Sequence, residues 1–361
     1  MKKKVVTRIM LTLLLIGMLT LAFTIQRIKS DWTWAETIRI KADGSVAPDT
    51  APISTVDNIT YTLTDNIVGD VPEGSDAIVV ERDNIVVDGA GYTLQGTGNG
   101  TGIDLSGRSN VTIKNMRIQA FSYGIYLYDS SNNSIFGNNI TNNGYGIYLG
   151  NADDSEIHGN TITNNTLPGV GGYGIGLWND CDGNRISGNT ISDNGYGIGV
   201  GSGSDGNTIS GNTVSHNSWG WGINLYQSSN NTVYHNNIID NTIQANDDNP
   251  SMNDWHHPTL LEGNYWSDYA GVDDGSGVGK HAIAGDGIGD TLIPHPDTDY
   301  DFYPLTNPWT PSQPTSVGGI YIPVNKLELL ASYIGLTILS AVAVVTVAYV
   351  KKRKRDTEIN S

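Results

Sequence analysis

One pattern, repeated six times between residues 110 and 245, constrains this chain more than any other feature. Aligned on an aliphatic residue, the copies begin at Ile113, Ile135, Ile157, Ile186, Ile209 and Val233, in steps of 22, 22, 29, 23 and 24 residues. A second aliphatic follows five places on, at Ile118, Ile140, Ile162, Ile191, Val214 and Ile238. Three places after the start, the last five copies carry Asn138, Asn160, Asn189, Asn212 and Asn236; eight places after, they carry Asn143, Asn165, Asn194, Asn217 and Asn241. A Gly-Ile-x-Leu/Val segment follows, built on Ile125, Ile147, Ile175, Ile198 and Ile223.

A fixed period of this length marks a repeat architecture. The apolar positions within a copy have strand spacing, and no stretch shows an apolar stripe at helical spacing. Gly and Asn punctuate every run and tolerate the left-handed backbone that turns need. Each copy therefore reads as one coil of two or three short strands. Coils stack ~4.8 Å apart with equivalent strands paired in parallel. The aliphatic columns fill the interior. The Asn columns stack at the corners, where amides bond each other and the turn backbone. The expected fold is all-β: a right-handed parallel β-helix solenoid with N- and C-terminal caps, an N-terminal signal segment and a C-terminal transmembrane helix. A β-sandwich of short strands is the competing architecture. It also alternates apolar and polar residues, but has no reason to return the same Asn to the same place.

The lone Cys181 excludes an internal disulfide framework, so stability must come from stacking. The formal charge of -17 is unevenly spread: residues 31–328 hold nine Lys/Arg against 35 Asp/Glu, a net of -26. Such a surface repels nucleic acid and attracts cations. The basic residues cluster instead beside two apolar runs. Residues 1–30 read as a signal peptide or a retained signal anchor, with Ser30 and Ala35 as candidate cleavage points. Residues 329–350 are long enough to cross a bilayer once, and the tail 351–361 opens with Lys351-Lys352-Arg353-Lys354-Arg355. The positive-inside rule places that tail in the cytoplasm and the acidic repeats outside. Seven Asn-x-Ser/Thr sequons, at Asn58, Asn99, Asn110, Asn132, Asn139, Asn164 and Asn230, fit an external chain, although an Asn- and Thr-rich repeat also makes sequons by chance.

Residues 31–77 are expected to cap the first coil and residues 78–245 to form the solenoid. The long step of 29 residues implies a loop at 167–172, either lining a groove or inserted without function. Residues 246–309 change character, with Asp, Gly, Trp, Tyr and four of the seven His, and read as a C-terminal cap; 310–328 is the linker to the membrane.

The Gly-Asn and Gly-Ile-x-Leu repeats resemble the NosD-type right-handed β-helix family, also described as carbohydrate-binding and sugar-hydrolysis repeat proteins. So do the Val87-Asp88-Gly89-Ala90-Gly91 turn and the cap sequence Gly263-Asn264-Tyr265-Trp266-Ser267-Asp268-Tyr269 followed by Asp286-Gly287-Ile288-Gly289-Asp290 and Tyr303-Pro304-Leu305. The resemblance covers roughly residues 37–309, and the whole chain resembles archaeal membrane-anchored surface members. It implies an external β-helix. Founding members assist copper-site assembly, and many relatives have no assigned activity. Fold follows from membership more firmly than function does.

Three chemistries are open. For a polysaccharide or surface glycan, the outward positions of the Gly-Ile-x-Leu strands place Tyr126, Tyr128, Tyr148, Trp178 and Tyr226 on one flank, beside glycines that leave room. A further column, Tyr123, Tyr145, Tyr173, Tyr196 and Trp221, has a parity that points inward or to a corner. For a hydrolase or lyase, which needs placed carboxylates, Asp153, Asp154, Glu156, Asp180, Asp182 and Asp205 gather at one inter-coil turn with Arg185. Ser109, Ser131 and Ser229 at equivalent places favour ordinary turn residues instead. For a structural Ca²⁺, Asp268, Asp273, Asp274, Asp286 and Asp290 form an acidic Gly-rich stretch of the kind hard cations use. Copper would need clustered His, Cys or Met, and the four cap histidines are irregularly spaced. Nothing suggests a nucleotide cofactor. The expected role is glycan binding or a structural part at the cell surface; the alternatives are a carbohydrate-active enzyme and a metal-handling protein. Oligomeric state is open.

Overall fold

The computed structural model describes residues 31–311, except 35, 73, 167–170, 250–251, 291–294 and 296–300. The expected signal segment, the membrane span and the basic tail lie outside the described residues, as does the linker beyond 311. Among the described residues no helix is long and apolar enough to cross a membrane, and one short 3-10 turn, Gly279–Ala282, is present.

The described chain is a right-handed parallel β-solenoid of about 8 turns. Its three sheets have ten, ten and nine strands. Each coil visits them in a fixed order. In one coil the first sheet takes Thr112–Lys114, the second Arg117–Gln119 and the third Tyr123–Ser131; in the next they take Ser134–Phe136, Asn139–Thr141 and Tyr145–Asp153. Equivalent residues pair in parallel without slippage, Ile113 with Ile135, Ile118 with Ile140 and Ile125 with Ile147. Register is held because a slip of one residue would turn every aliphatic outward. The three aliphatic columns are fully buried and form one continuous core.

All three corners share one device. A residue with left-handed backbone turns the chain, and a buried side chain, usually Asn, follows it. Between the first and second sheets Gly137, Gly159, Gly188, Gly211 and His235 turn with φ of 65°, 61°, 63°, 66° and 57°, each followed by a ladder Asn. The Oδ1 of Asn160 accepts both the backbone N–H and the Nδ2–H of Asn138, at 3.0 and 3.1 Å, and Asn138 Nδ2 also donates to the Ile113 carbonyl at 3.0 Å. Both amide hydrogens and both acceptor positions are thus used, which lets a polar group sit in an apolar wall. The second ladder runs Asn143, Asn165, Asn194, Asn217 and Asn241. A third, at the corner between the third and first sheets, runs Asn133, Ser155, Asn184, Asn207, Asn231 and Asn253. Its members stand two places before each aliphatic start, a regularity interrupted by Ser155.

Beside the third ladder runs a buried column of small residues, Ser130, Ala152, Cys181, Ser204 and Ser228. Cys181 is a spacer in that column. Its thiol donates to the Trp178 carbonyl at 3.2 Å, and burial pushes its pKa up to about 11.

Parallel pairing starts earlier than residue 78. Ile38–Ile40 pairs with the strand Asp76–Val80, Thr60–Leu63 with Val86–Asp88, and Ile67 with Leu94. These first strands lack the Asn and Gly-Ile signature, because hairpin partners Val46–Ala47 and Ile53–Ser54 cover them antiparallel. At the other end Tyr265–Trp266 adds a parallel strand to the second sheet, and buried Trp255 and Trp266, with ring centroids 5.8 Å apart, fill the interior where aliphatics stood before.

Candidate functional site

The outer face of the third sheet carries most of the exposed aromatic surface. Two rows come from its outward strand positions. Register aligns Tyr126 with Tyr148 and Gly176, and aligns Tyr128, Gly150, Trp178, Gly201 and Tyr226. Tyr126 and Tyr148 stack at 5.3 Å with planes 8° apart, and Tyr126 and Tyr128 at 6.3 Å with planes 8° apart. Tyr128 and Tyr226 are 41% and 42% exposed.

The column Tyr123, Tyr145, Tyr173, Tyr196 and Trp221 opens each strand of this sheet just past the corner and forms a stack of rings that is half-buried, not inward. Its rings stack at 5.1, 6.2, 4.7 and 5.7 Å. Tyr123 meets Tyr126 edge-on at 5.3 Å and Tyr148 at 5.5 Å. Simple alternation fails because Gly124 and Ile125 both face inward. A side chain at Gly124 would meet the Gly146 carbonyl at 2.6 Å and Ile140 Cγ2 at 2.9 Å. Two inward residues in succession shift the phase, so Tyr123 shares the outer face with Tyr126.

The glycines of this face do not leave cavities. Trp178 lies flat along the axis over the next coil: a Cβ at Gly199 would meet Trp178 Cζ2 at 3.1 Å, and one at Gly201 would meet Trp178 Cε3 at 3.0 Å. Tyr128 covers Gly150 in the same way, at 2.9 Å from such a Cβ. Glycine is needed at these places so that Tyr128 and Trp178 can rest on bare backbone. The result is a continuous aromatic pavement along the solenoid axis, built of the stacked columns together with these two rings. Burial raises the phenol pKa of Tyr126 and Tyr145 and pushes Tyr148 and Tyr173 up to about 12, so these rings are neutral at any ordinary pH. The described end of the long loop, Gly171–Gly172, borders the pavement at Tyr196.

Three of the six acidic candidates, Asp153, Asp182 and Asp205, accept backbone N–H groups at the corner between the third and first sheets. Asp153 Oδ1 accepts the N–H of Asp182 at 2.9 Å, Asp182 Oδ1 that of Asp205 at 2.8 Å, and Asp205 Oδ1 that of Ser229 at 2.6 Å. Asp154 leans over Gly183 and Asp180 over Gly203. Glu156 pairs across strands with Arg185 in register on the first sheet. A column of carboxylates, one per coil and each committed to its neighbour, is a structural ladder and not a facing acid pair.

In the cap, Asp273 accepts the N–H groups of Gly285 and Gly287 at 2.6 and 2.8 Å, and Asp290 Oδ2 those of Asp274 and Gly275, both at 2.6 Å. Asp286 Oδ1 takes the Ile288 N–H and Asp274 Oδ1 the Ser276 N–H, both at 3.0 Å. Asp268 stands apart, 2.8 Å from His295 Nε2. The donor set for calcium is therefore turned toward the loop's own backbone, and among the described residues no three His, Cys, Asp or Glu side chains come together in a metal-holding group. The cap histidines are engaged one by one: His295 Nε2 lies 2.8 Å from Asp268 Oδ2, His281 stacks on Tyr303 at 5.3 Å, and His257 meets Tyr234 edge-on at 4.8 Å.

Comparison with known proteins follows from this architecture. Residues 53–214 match the family model described as a right handed beta helix region, and residues 158–271 match that of the periplasmic copper-binding protein NosD. No curated protein matches the chain. Among solved structures it is similar to tailspike protein 2 from Escherichia coli O157:H7 bacteriophage CAB120, at 15% identity and TM-score 0.38 over 58% of this chain and 34% of that one. It is also similar to the A-module of the mannuronan C-5 epimerase AlgE4 of Azotobacter vinelandii, at 19% identity and TM-score 0.40 over 50% and 54%. The periplasmic alginate epimerase AlgG aligns at 18% identity and TM-score 0.36 over 52% and 59%. The chain thus spans less than two thirds of the length of each. Residues 53–271 are covered by right-handed β-helix family models, with the NosD match confined to residues 158–271.

Proposed function

We propose that the chain is a cell-surface protein that binds uncharged glycans along the aromatic face of the third sheet, with residues 329–350 as its membrane anchor. The observation that carries this reading is the continuous aromatic surface of the third sheet: the stacked column from Tyr123 to Trp221, the stacked pair Tyr126 and Tyr148 beside it, and Tyr128 and Trp178 laid over Gly150, Gly199 and Gly201. Neutral rings repeating along the axis suit the apolar faces of successive sugar units. Charge sets the class of sugar. With nine Lys/Arg against 35 Asp/Glu in residues 31–328, a uronate or sulfated polymer would be repelled. Asp153, Asp182 and Asp205 are each committed to a backbone N–H group of the next coil, which supports binding without cleavage. The sequence supports the anchoring: an apolar run of spanning length meets five consecutive basic residues.

The test is a screen of the purified full-length protein in detergent against immobilised neutral, amino and acidic glycans, with product analysis of every hit. The expected result is retention of neutral chains with no new products. Tyr148→Ala combined with Trp178→Ala is expected to weaken binding at least tenfold, about 1.4 kcal/mol. Released oligosaccharides would replace this reading with an enzyme, and failure to retain any glycan would leave a purely structural surface protein.

A further inference from the structure

The solenoid separates its asparagines into two chemical classes. Ladder asparagines spend both Nδ2 hydrogens, one on the next ladder Oδ1 and one on a carbonyl of the preceding coil, as Asn189 does toward Asn212 at 3.0 Å and Ile157 at 2.8 Å. All seven acceptor asparagines of the sequons are exposed instead, and no buried asparagine stands at an acceptor position. Their Nδ2 groups make at most one bond: Asn110 donates to Asn84 Oδ1 at 2.7 Å, Asn164 to Asn142 Oδ1, and Asn230 to Ser229 Oγ at 3.5 Å.

The register explains the separation. Two residues after every ladder Asn stands a large apolar side chain, for example Ile135 after Asn133, Ile191 after Asn189 and Tyr196 after Asn194. At places such as Ile135, Ile191 and Tyr196, a hydroxyl residue of the kind a sequon requires would replace a member of the core or of the aromatic column. At the corner between the third and first sheets the left-handed residue precedes the ladder residue by one. In four of the six coils its second neighbour is the Thr or Ser that opens the next strand, Thr112, Ser134, Thr208 or Thr232; Glu156 and Arg185 stand there in the other two. Asn110, Asn132 and Asn230 take the left-handed place, each with φ 56°, followed by Thr112, Ser134 and Thr232.

We infer that this corner is a site of N-linked glycosylation, with Asn110, Asn132 and Asn230 as acceptors. The donor is an oligosaccharide linked through phosphate to a membrane lipid, supplied by a membrane transferase. In the step, Asn Nδ2 attacks the anomeric carbon and an N–C bond forms. The bond from that carbon to the phosphate oxygen breaks, and the lipid phosphate leaves with the electron pair. One amide proton passes to a base of the transferase. The remaining N–H can still hold the bond that Asn110 makes to Asn84, so folding and modification are compatible. The three acceptors lie along an edge of the aromatic face and none lies on it. The glycans would flank the binding surface and leave the rings bare.

The test is mass spectrometry of peptides from the full-length protein purified from its native membranes, with coverage of all three corner sequons. Sugar masses are expected on at least one of Asn110, Asn132 and Asn230, and none on Asn138, Asn189 or Asn207. Ser134→Ala, which removes a sequon but keeps the left-handed Asn132, should abolish the mass at Asn132 alone. Bare peptides at all three sites would overturn the proposal, as would sugar on a ladder asparagine or sugar retained at Asn132 in Ser134→Ala.

Discussion

Asp301 Oδ2 accepts the backbone N–H of Asn264 at 2.6 Å, the place that the next asparagine Oδ1 would take if the ladder continued. Each ladder donates toward the C-terminus, so its last member leaves N–H groups without an acceptor. Three side chains supply one. Asp301 serves Asn264 and the Trp266 indole N–H at 2.9 Å; Asp247 serves Asn253 and the Trp255 indole N–H, both at 3.1 Å; Gln244 Oε1 serves Asn241 Nδ2 at 3.1 Å. An unsatisfied buried donor costs about 1–3 kcal/mol, so these residues close the tube as much as the two tryptophans do.

This arrangement makes stability depend on pH. Burial pushes Asp301 up to about 7, above the ordinary carboxylate value of 3.8. The folded chain therefore holds this proton more tightly than the unfolded chain. The contribution of Asp301 is complete below about pH 4 and is lost as pH rises through 7. Asp301→Asn, which keeps an acceptor at the end of the ladder, should remove this component, so that Tm falls less between pH 5 and 8 than in the wild type. Asp301→Ala should lower stability by about 3 kcal/mol, read by denaturant unfolding. Equal pH slopes in the wild type and the Asn variant would contradict the assignment.

Asn189→Ala should be among the most damaging polar truncations. It leaves Asn160 without the acceptor at 3.0 Å and the Ile157 carbonyl without its donor at 2.8 Å, both buried. The expected loss is about 3 kcal/mol. Asn151→Ala, at an exposed corner with φ 50°, should cost only about 1 kcal/mol, the strain of Ala in left-handed backbone. Urea midpoints of the two variants decide this.

Cys181→Ser should be close to neutral, within about 0.5 kcal/mol, because Ser204 fills the same column one coil later and accepts the Cys181 N–H at 3.1 Å. With the thiol buried and its pKa pushed up to about 11, the native protein should not react with a thiol reagent at pH 8 until it is unfolded. Rapid native-state labelling would show that the corner opens.

Gly199→Val should lift Trp178 and Tyr173 from the sheet, since the new side chain begins where those rings rest. The expected outcome is a red shift of tryptophan emission and at least a tenfold loss of neutral-glycan retention, about 1.4 kcal/mol, with strand content by circular dichroism unchanged. Unchanged retention would separate the pavement from the binding surface.

Asp153→Asn, Asp182→Asn and Asp205→Asn together should leave the Tm within a few degrees of wild type, because an amide oxygen can accept the same N–H groups. The corresponding triple Ala variant should be clearly less stable. A thermal melt of both distinguishes a structural carboxylate ladder from residues whose charge matters.

Two of the three asparagine ladders were legible because they recur at constant distance from the aliphatic starts. The third was hidden by Ser155 and by the longer coil around Cys181. Strand alternation placed Tyr126, Tyr148 and Trp178 on the outer face, where they stand. It left Tyr123 inward or at a corner because alternation counts residues, and two successive residues, Gly124 and Ile125, face inward. Glycines beside rings read as open space; only packing shows Trp178 lying across Gly199 and Gly201.

The amino-acid sequence alone determined the coil, its period, the order of strands and the identity of the core. All of these repeat locally, and burial acts on each copy in the same way. Tertiary structure decided what the acids and rings do. Asp301 meets Asn264 across 37 residues, and Asp153 meets Asp182 across 29. The partner of such a group is set by which backbone N–H the stacked coils leave unpaired, and that exists only once the coils are stacked.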